Sequence, residues 1–235
     1  MNAASKNLND LQNILKSDAN RNKLISHPVL KAFKEKSLNK DQVSTIVGQW
    51  YHPLQNFPFF LSACISHIEI TPIQTFISDI LHEELGCGDP SESHLDLYIS
   101  TCEDAGMERD KIVNSTALSA THKLIEGYKK SSKSQNTALG FIYATEVADL
   151  AMVSSIGTAI ANLCGKSTKD LPWVDIHVQQ EPNHVNKAES SLNVNFDEED
   201  LSIIQSSARS MWNLWIDFFD QIGMELFKEN LRDSA

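Results

Sequence analysis

The sequence predicts an all-α bundle of seven or more helices, and three observations carry that prediction. Alternating runs of Val, Ile and Thr bounded by Asn-Gly or Asp-Gly turns are missing from the chain, so no strand signal competes. Apolar residues recur instead at steps of three and four, most clearly in Leu201, Ile204, Ala208, Met211, Trp212, Trp215, Phe218, Phe219 and Ile222. Such a stripe is the face a bundle helix buries. Proline pairs that open helices and glycines that close them punctuate the periodic segments and leave short linkers.

The elements follow in order. About Lys40 to Asn56 reads as one helix, and "HPLQNFPFF" is expected to bend the chain at Pro53 and Pro58, because proline lacks an amide donor. Thr71-Pro72 opens a helix with a cap residue and proline at its first position. It runs to Leu85 and stops at Gly86, with Gly88 just beyond. Asp89-Pro90 starts the next, to about Gly106. Further helices cover about Thr116 to Lys130, Asn136 to Leu163, Leu171 to Ser191 and Asp197 to Lys228. With no internal repeat or low-complexity tract, the expectation is a single domain over residues 1–235, long enough for one substantial core.

Charge narrows the partners. Twenty basic residues against 31 acidic ones give a net charge of -11, which argues against a nucleic-acid or anionic-membrane surface. The longest apolar stretch, about Leu150 to Cys164, reads as too short and too rich in Ser, Thr and Asn to span a membrane. The first twenty residues lack the apolar core of a signal peptide, and the four cysteines show no CxxC spacing. The expectation is a cytoplasmic protein with reduced thiols.

Some polar residues are out of place. The segment from Asn136 to Leu163 is apolar nearly all round, as a central helix is, yet carries Glu146 and Asp149 three apart, with Tyr143 one turn earlier. A buried carboxylate is normally protonated, ion-paired or metal-bound, and no Lys or Arg lies within that helix to pair with it. A salt bridge to another helix is the bland explanation. In "HVQQEPNH", His177, Glu181 and His184 fall at i, i+4 and i+7 on one helical face. Alone, that triplet is more often a solvated face, and Pro182 complicates its geometry. In "HEELGCGDPSESH", Glu84 ends one helix and His94 begins the next, so the glycine-rich turn brings them together; Glu83 is the competing carboxylate.

Together, three helical regions supply Glu84, His94, Glu146, His177, Glu181 and His184. Three carboxylates offset most of the charge of two Fe(II) ions and can bridge them, imidazoles complete each site, and open positions remain for O2. A structural zinc site would need only four ligands and would favour grouped cysteines.

At this point the sequence resembles the haem-oxygenase-like di-iron oxidases, a helical family related in fold to the pyrroloquinoline-quinone synthase and thiaminase-like proteins. The resembling residues are Glu84-Leu85-Gly86-Cys87-Gly88-Asp89-Pro90 through His94, the single Glu146, the His177, Glu181, His184 triplet, and "WYHPLQNFPFF" from Trp50 to Phe60. The likeness runs from about His27 to about Phe227. Position 181 is Glu where Asp is frequent in the family, and Pro182 sits among the ligands. The resemblance implies two Fe(II) ions with O2 as co-substrate, Glu84, Glu146 and Glu181 as the catalytic carboxylates, and oxidation of amines, amino acids or fatty acids in specialised biosynthesis. Outcomes include N-oxygenation, desaturation, C–C cleavage and nitrile formation.

An amino acid or other small amine is the favoured substrate, with Tyr143, Asp149 and Phe60 as candidate substrate contacts. A fatty-acid decarboxylase on the same site, a cofactor-free hydrolase using Cys87, and a non-catalytic helical binding protein are the alternatives. His52 reads as a satisfied histidine and His67 as a surface one, while Trp50, Trp173 and the cluster from Phe57 to Phe60 read as core. No nucleic-acid or membrane partner is expected; a homodimer is admitted.

Overall fold

The architecture is a set of helices stacked around one long central rod. The structure is a computed structural model that describes residues 11–192 and 196–227, apart from the side chain of Glu181. In chain order the helices are α1 (11–16), α2 (Ala19–Ile25), α3 (Pro28–Glu35), α4 (Lys40–Ser66), α5 (Thr71–Glu84), α6 (His94–Asp104), α7 (Arg109–Val113), α8 (Ser119–Ser131), α9 (Gln135–Cys164), α10 (Pro172–Ser191) and α11 (Glu198–Phe227). No strand occurs among the described residues, as the periodicity predicts. The helices α1, α2 and α7 carry too few turns for a periodic signal, while α3 buries Leu30 and Phe33, three apart, and is missed by the sequence reading.

Helix α9 is the rod. It packs against α11, α10, α3, α4, α2 and α8, which explains why its sequence is apolar nearly all round. By length and composition α9 could cross a membrane, contrary to the expectation that the stretch is too short. That expectation counted only the stretch from about Leu150 to Cys164, although the helix itself is predicted from Asn136 to Leu163 and spans Gln135–Cys164. Its ends are set locally: Ser134 precedes it, and Gly165 closes it in the left-handed conformation at φ 68°. The predicted stripe of α11 lies against it, buried from Ile204 to Ile222, with the Trp212 indole N–H donating to the Ala144 carbonyl at 2.9 Å.

Four boundaries differ from the sequence reading. Helix α8 starts at Ser119 rather than about Thr116. Helix α4 starts at a capping box, Asn39 with Gln42, and continues through Pro53 and Pro58 to Ser66 rather than ending near Asn56. An interior proline costs about 3 kcal/mol. Here Trp50, Leu54, Phe57, Phe60 and Leu61 are buried from the same helix, at about 1.5–3 kcal/mol each. Burial wins, and the helix persists. Helix α5 is preceded by Ile70, so Thr71 is its first residue and not its cap. Asp89 caps only the single 3₁₀ turn Pro90–Glu92, and α6 begins at His94, where the Ser93 hydroxyl accepts from the Asp96 N–H.

The turn between α5 and α6 needs unusual backbone. Gly86, Cys87 and Gly88 have φ of 83°, 54° and 99°. A Cβ on Gly86 would sit 2.1 Å from the Asp89 carbonyl oxygen. Only glycine fits there, and the reversal it permits brings the end of α5 beside the start of α6.

Candidate metal centre

Helices α5, α6, α9 and α10 present Glu84, His94, Glu146, His177 and His184 to one buried region. These five are between 1% and 6% exposed. The turn delivers Glu84 and His94; α9 supplies Glu146 and Asp149 from one face; α10 supplies His177 and His184 two turns apart. The His94 ring centroid lies 4.5 Å from that of His177 and 6.2 Å from that of His184. The backbone of Glu181 continues α10, which stays helical through Pro182; its side chain, a predicted ligand, lies outside what the structure describes.

Each imidazole has one nitrogen held from outside and the other turned inward. His94 Nε2 donates to Gln180 Oε1 at 2.9 Å, and its Nδ1 faces Glu84 Oε1 at 3.0 Å without alignment for a hydrogen bond. His184 Nε2 meets Glu83 Oε2 at 2.6 Å, and its Nδ1 faces Glu146 Oε2 at 3.4 Å. His177 Nδ1 donates to the Trp173 carbonyl at 2.7 Å, leaving Nε2 4.0 Å from Asp149 Oδ2. Lys187 Nζ, 2.7 Å from both Glu83 Oε1 and Asp79 Oδ2, holds the outer carboxylate in place. An outer acceptor that fixes the ring and its tautomer is the usual support of a metal-bound histidine.

The inward geometry demands positive charge. A neutral imidazole whose proton is committed outward turns a bare lone pair toward its carboxylate oxygen, and two lone pairs repel unless a cation lies between them. Protons can fill that role. Burial lowers the affinity of His184 for a proton, but the hydrogen bond and charge of Glu146, with Glu84 and Glu83 behind it, raise its pKa to about 9. Burial opposes ionisation of Glu84, yet the facing His94 pulls its pKa down to about 2. Burial and the charge of His94 hold His177 neutral, down to about 3. Burial, then the charges of Glu146 and Glu84, push Asp149 up to about 8.

The donor set also fits metal ions. Two donors about 2.1 Å from one ion and at right angles lie about 3 Å apart, close to the His94–Glu84 separation of 3.0 Å and the His184–Glu146 separation of 3.4 Å. Glu146 Oε1 is buried with no hydrogen-bond partner among the described residues, a leftover acceptor that such an ion would satisfy. Among those residues, no three histidine, cysteine or acidic side chains close on one point in a metal-holding arrangement. The described donors therefore form acid–imidazole pairs rather than a finished shell.

A cavity of about 30 Å³ lies against the pairs, room for roughly one or two water-sized groups. Its lining combines Glu84, Glu146, Asp149, His177 and His184 with Trp50, Phe57, Tyr128 and Trp215. Trp50 and Phe57 are thus both core and wall, where the sequence reading favoured core over pocket. Of the three candidate substrate contacts, only Asp149 lines this cavity. Phe60 stacks behind Tyr128 at 5.0 Å between centroids, and Tyr143 is fully buried elsewhere on α9 with a hydroxyl that has no partner among the described residues. Gln180, Lys187 and Tyr128 carry no sequence signal that singles them out, although Gln180 and Lys187 follow His177 and His184 by one helical step of three; Glu83, the competing carboxylate of the sequence, meets His184 from outside. His52 bonds the Ser115 carbonyl at 3.0 Å and His67 is exposed. Cys87 is exposed on the turn and outside the cavity wall.

Comparisons with known proteins agree with this picture at different depths. Residues 45–216 match the family described as iron-containing redox enzymes. A relative named 4-chloro-allylglycine synthase, from Streptantibioticus cattleyicolor, is 24% identical over 170 residues, covering 72% of this chain and 65% of that protein; the chain thus spans just under two thirds of that relative's length. A solved CADD-like protein of unknown function from Nostoc punctiforme superposes with a TM-score of 0.80 at 16% identity, over 94% of this chain and 99% of the other. A domain of unknown function with a haem-oxygenase-like fold, from Shewanella denitrificans, gives a TM-score of 0.73 at 15% identity, over 100% and 97%. The fold is haem-oxygenase-like.

Proposed function

The chain belongs to the iron-containing redox enzymes, and on that premise we propose that it is an O2-dependent non-haem di-iron oxidase acting on an amino acid or another small amine, at or near the amine-bearing carbon. One observation carries the reading. Three buried imidazoles, each anchored outward, turn their second nitrogen toward a carboxylate oxygen at 3.0, 3.4 and 4.0 Å. In this reading Glu84, His94, Glu146, His177 and His184 hold the iron, with Glu181 on the same helix as the sixth ligand. Bound Fe(II) supplies the means to reduce and activate dioxygen.

The rest is the work of the protein's own residues. Glu83, Gln180 and the Trp173 carbonyl fix the rings, so the donors need little rearrangement when the site fills. Trp50, Phe57, Tyr128 and Trp215 line the same cavity with apolar rings and keep water from the reacting atoms. A space of about 30 Å³ beside three carboxylates admits a small polar group such as an ammonium better than an acyl chain. Asp149, facing His177, can hold a proton at its carboxyl or take one from an entering amine. The relative whose name specifies an amino-acid product supports the same substrate class. A cytoplasmic location, a free small-molecule substrate and the absence of nucleic-acid or membrane partners complete the proposal.

Oxygen-electrode traces of anaerobically iron-loaded protein test it. We expect substrate-dependent O2 uptake with one of a panel of amino acids and none with fatty acids. Uptake with a fatty acid alone would move the protein to the decarboxylase chemistry. A thiaminase-like hydrolysis through Cys87 would instead proceed without iron or O2, from a thiol outside the cavity wall.

A further inference from the structure

The inner cavity is too small for a substrate, and a second space adjoins it. A groove of about 740 Å³ runs between α2, α3, α9 and α10 and is lined by Arg21, Lys34, Glu146, Leu150, Pro182 and Asn186, among others. That volume lies in the range of small-molecule sites. Glu146 lines both spaces, so the groove reaches the residue that faces His184 in the candidate metal centre. A larger groove of about 840 Å³ between α8, α9 and α11 touches none of the six predicted ligands, and size alone does not recommend it.

The charge in the groove is unusual for so acidic a chain. Lys16 is neutralised by Glu189 at 2.6 Å. Arg21 makes no ion pair among the described residues: its Nε donates to the Val147 carbonyl at 3.1 Å and its Nη1 to the Lys16 carbonyl at 3.2 Å, leaving Nη2. Lys34 makes no hydrogen bond or ion pair among those residues. Arg21 is therefore tied to the residue next to Glu146. The buried hydroxyl of Tyr143, unpartnered among the described residues, has the charges of Glu189 and Arg21 as its electrostatic neighbours.

We propose that this groove is the substrate site and that Arg21 and Lys34 bind the carboxylate of an amino-acid substrate. In an α-amino acid the amine-bearing carbon is one bond from the carboxylate, so anchoring at Arg21, which is tied to the residue after Glu146, would bring that carbon to the Glu146 end of the groove. The side chain then lies along Leu150 and the Pro182 turn of α10. The proposal rests on the amino-acid reading above, and the two can fail separately.

Calorimetric binding to oxygen-free, iron-loaded protein tests it with three probes: L-norleucine, hexanoate and hexylamine. Both carboxylates should bind and hexylamine should not. Affinity for the carboxylates should fall by about tenfold in the Arg21→Gln, Lys34→Gln double variant and by a smaller factor in Lys34→Gln alone, with iron content unchanged. Lys34→Gln removes no contact, so it keeps the test open if Arg21→Gln perturbs folding. Equal carboxylate affinity in wild type and Lys34→Gln overturns the proposal, as do tight hexylamine binding and failure of both carboxylates to bind wild type. Charge-dependent binding without O2 uptake on any amino acid would keep the groove and remove the amino-acid oxidase reading. Uptake whose KM is the same in wild type and both variants would do the reverse.

Discussion

Replacing His94 by alanine is expected to lower Fe(II) binding from about two ions per chain to at most about one, and to remove most of the stabilisation that iron confers. Free Fe(II) at a hundredfold excess over its dissociation constant should stabilise the folded state by about 2.7 kcal/mol, which for a chain of this size is roughly 5–10 °C in Tm. In the metal-free protein the same variant leaves Glu84, 6% exposed, without the ring 3.0 Å away, and losing one partner of a buried pair costs about 3–5 kcal/mol. Anaerobic thermal melts with and without Fe(II), beside iron analysis, separate the two effects. His67→Ala, at an exposed ring, is the control and should match wild type. A His94→Ala protein that binds a full iron complement and keeps the wild-type Tm increment would take His94 out of the ligand set.

Gly86→Ala should be the most damaging single methyl in the turn. Its Cβ would lie 2.1 Å from the Asp89 oxygen, 2.7 Å from the Ser93 nitrogen and 2.8 Å from the Glu92 carbonyl carbon. All three are backbone atoms that cannot rotate away, so the turn must open. Left-handed strain of about 1–2 kcal/mol adds to an overpacking cost of about 1–3 kcal/mol, and opening the turn parts Glu84 from His94. Gly88→Ala supplies the contrast: its φ of 99° is also left-handed, but nothing lies within 4 Å of the added carbon, so only the strain remains. Urea unfolding should rank Gly88→Ala well above Gly86→Ala, and only the latter should lose iron. Similar losses in the two variants would mean that the turn relaxes freely and does not set the ligand spacing.

Much of this was legible in the sequence because it rests on local rules. A period of 3.6 residues placed α9 and α11, and the glycines at 86 and 88 announced the reversal that pairs Glu84 with His94. Carboxylates three apart in an otherwise apolar helix marked Glu146 and Asp149 as residues with a reason to be buried. The two prolines of α4 misled, because proline's cost is local while the burial that outweighs it comes from other helices. The neighbours Glu83 and Glu84 looked like alternatives, since successive helical residues point about 100° apart. Both meet the centre, Glu84 from within and Glu83 from outside through His184, because α10 crosses the end of α5. Gln180, Lys187 and the cationic groove depend on which helices become neighbours, and no spacing along the chain encodes that.

The aromatic wall has a practical consequence. All four tryptophans of the chain, Trp50, Trp173, Trp212 and Trp215, are at most 3% exposed. Trp50 and Trp215 border the cavity, and the Trp173 ring lies 5.3 Å from that of His177. The intrinsic ultraviolet emission of the protein should therefore be blue-shifted, and an open-shell ion arriving beside these indoles should quench it, while urea should shift it to the red. Filling of the centre and loss of the fold would then give different optical signals from the same unlabelled sample.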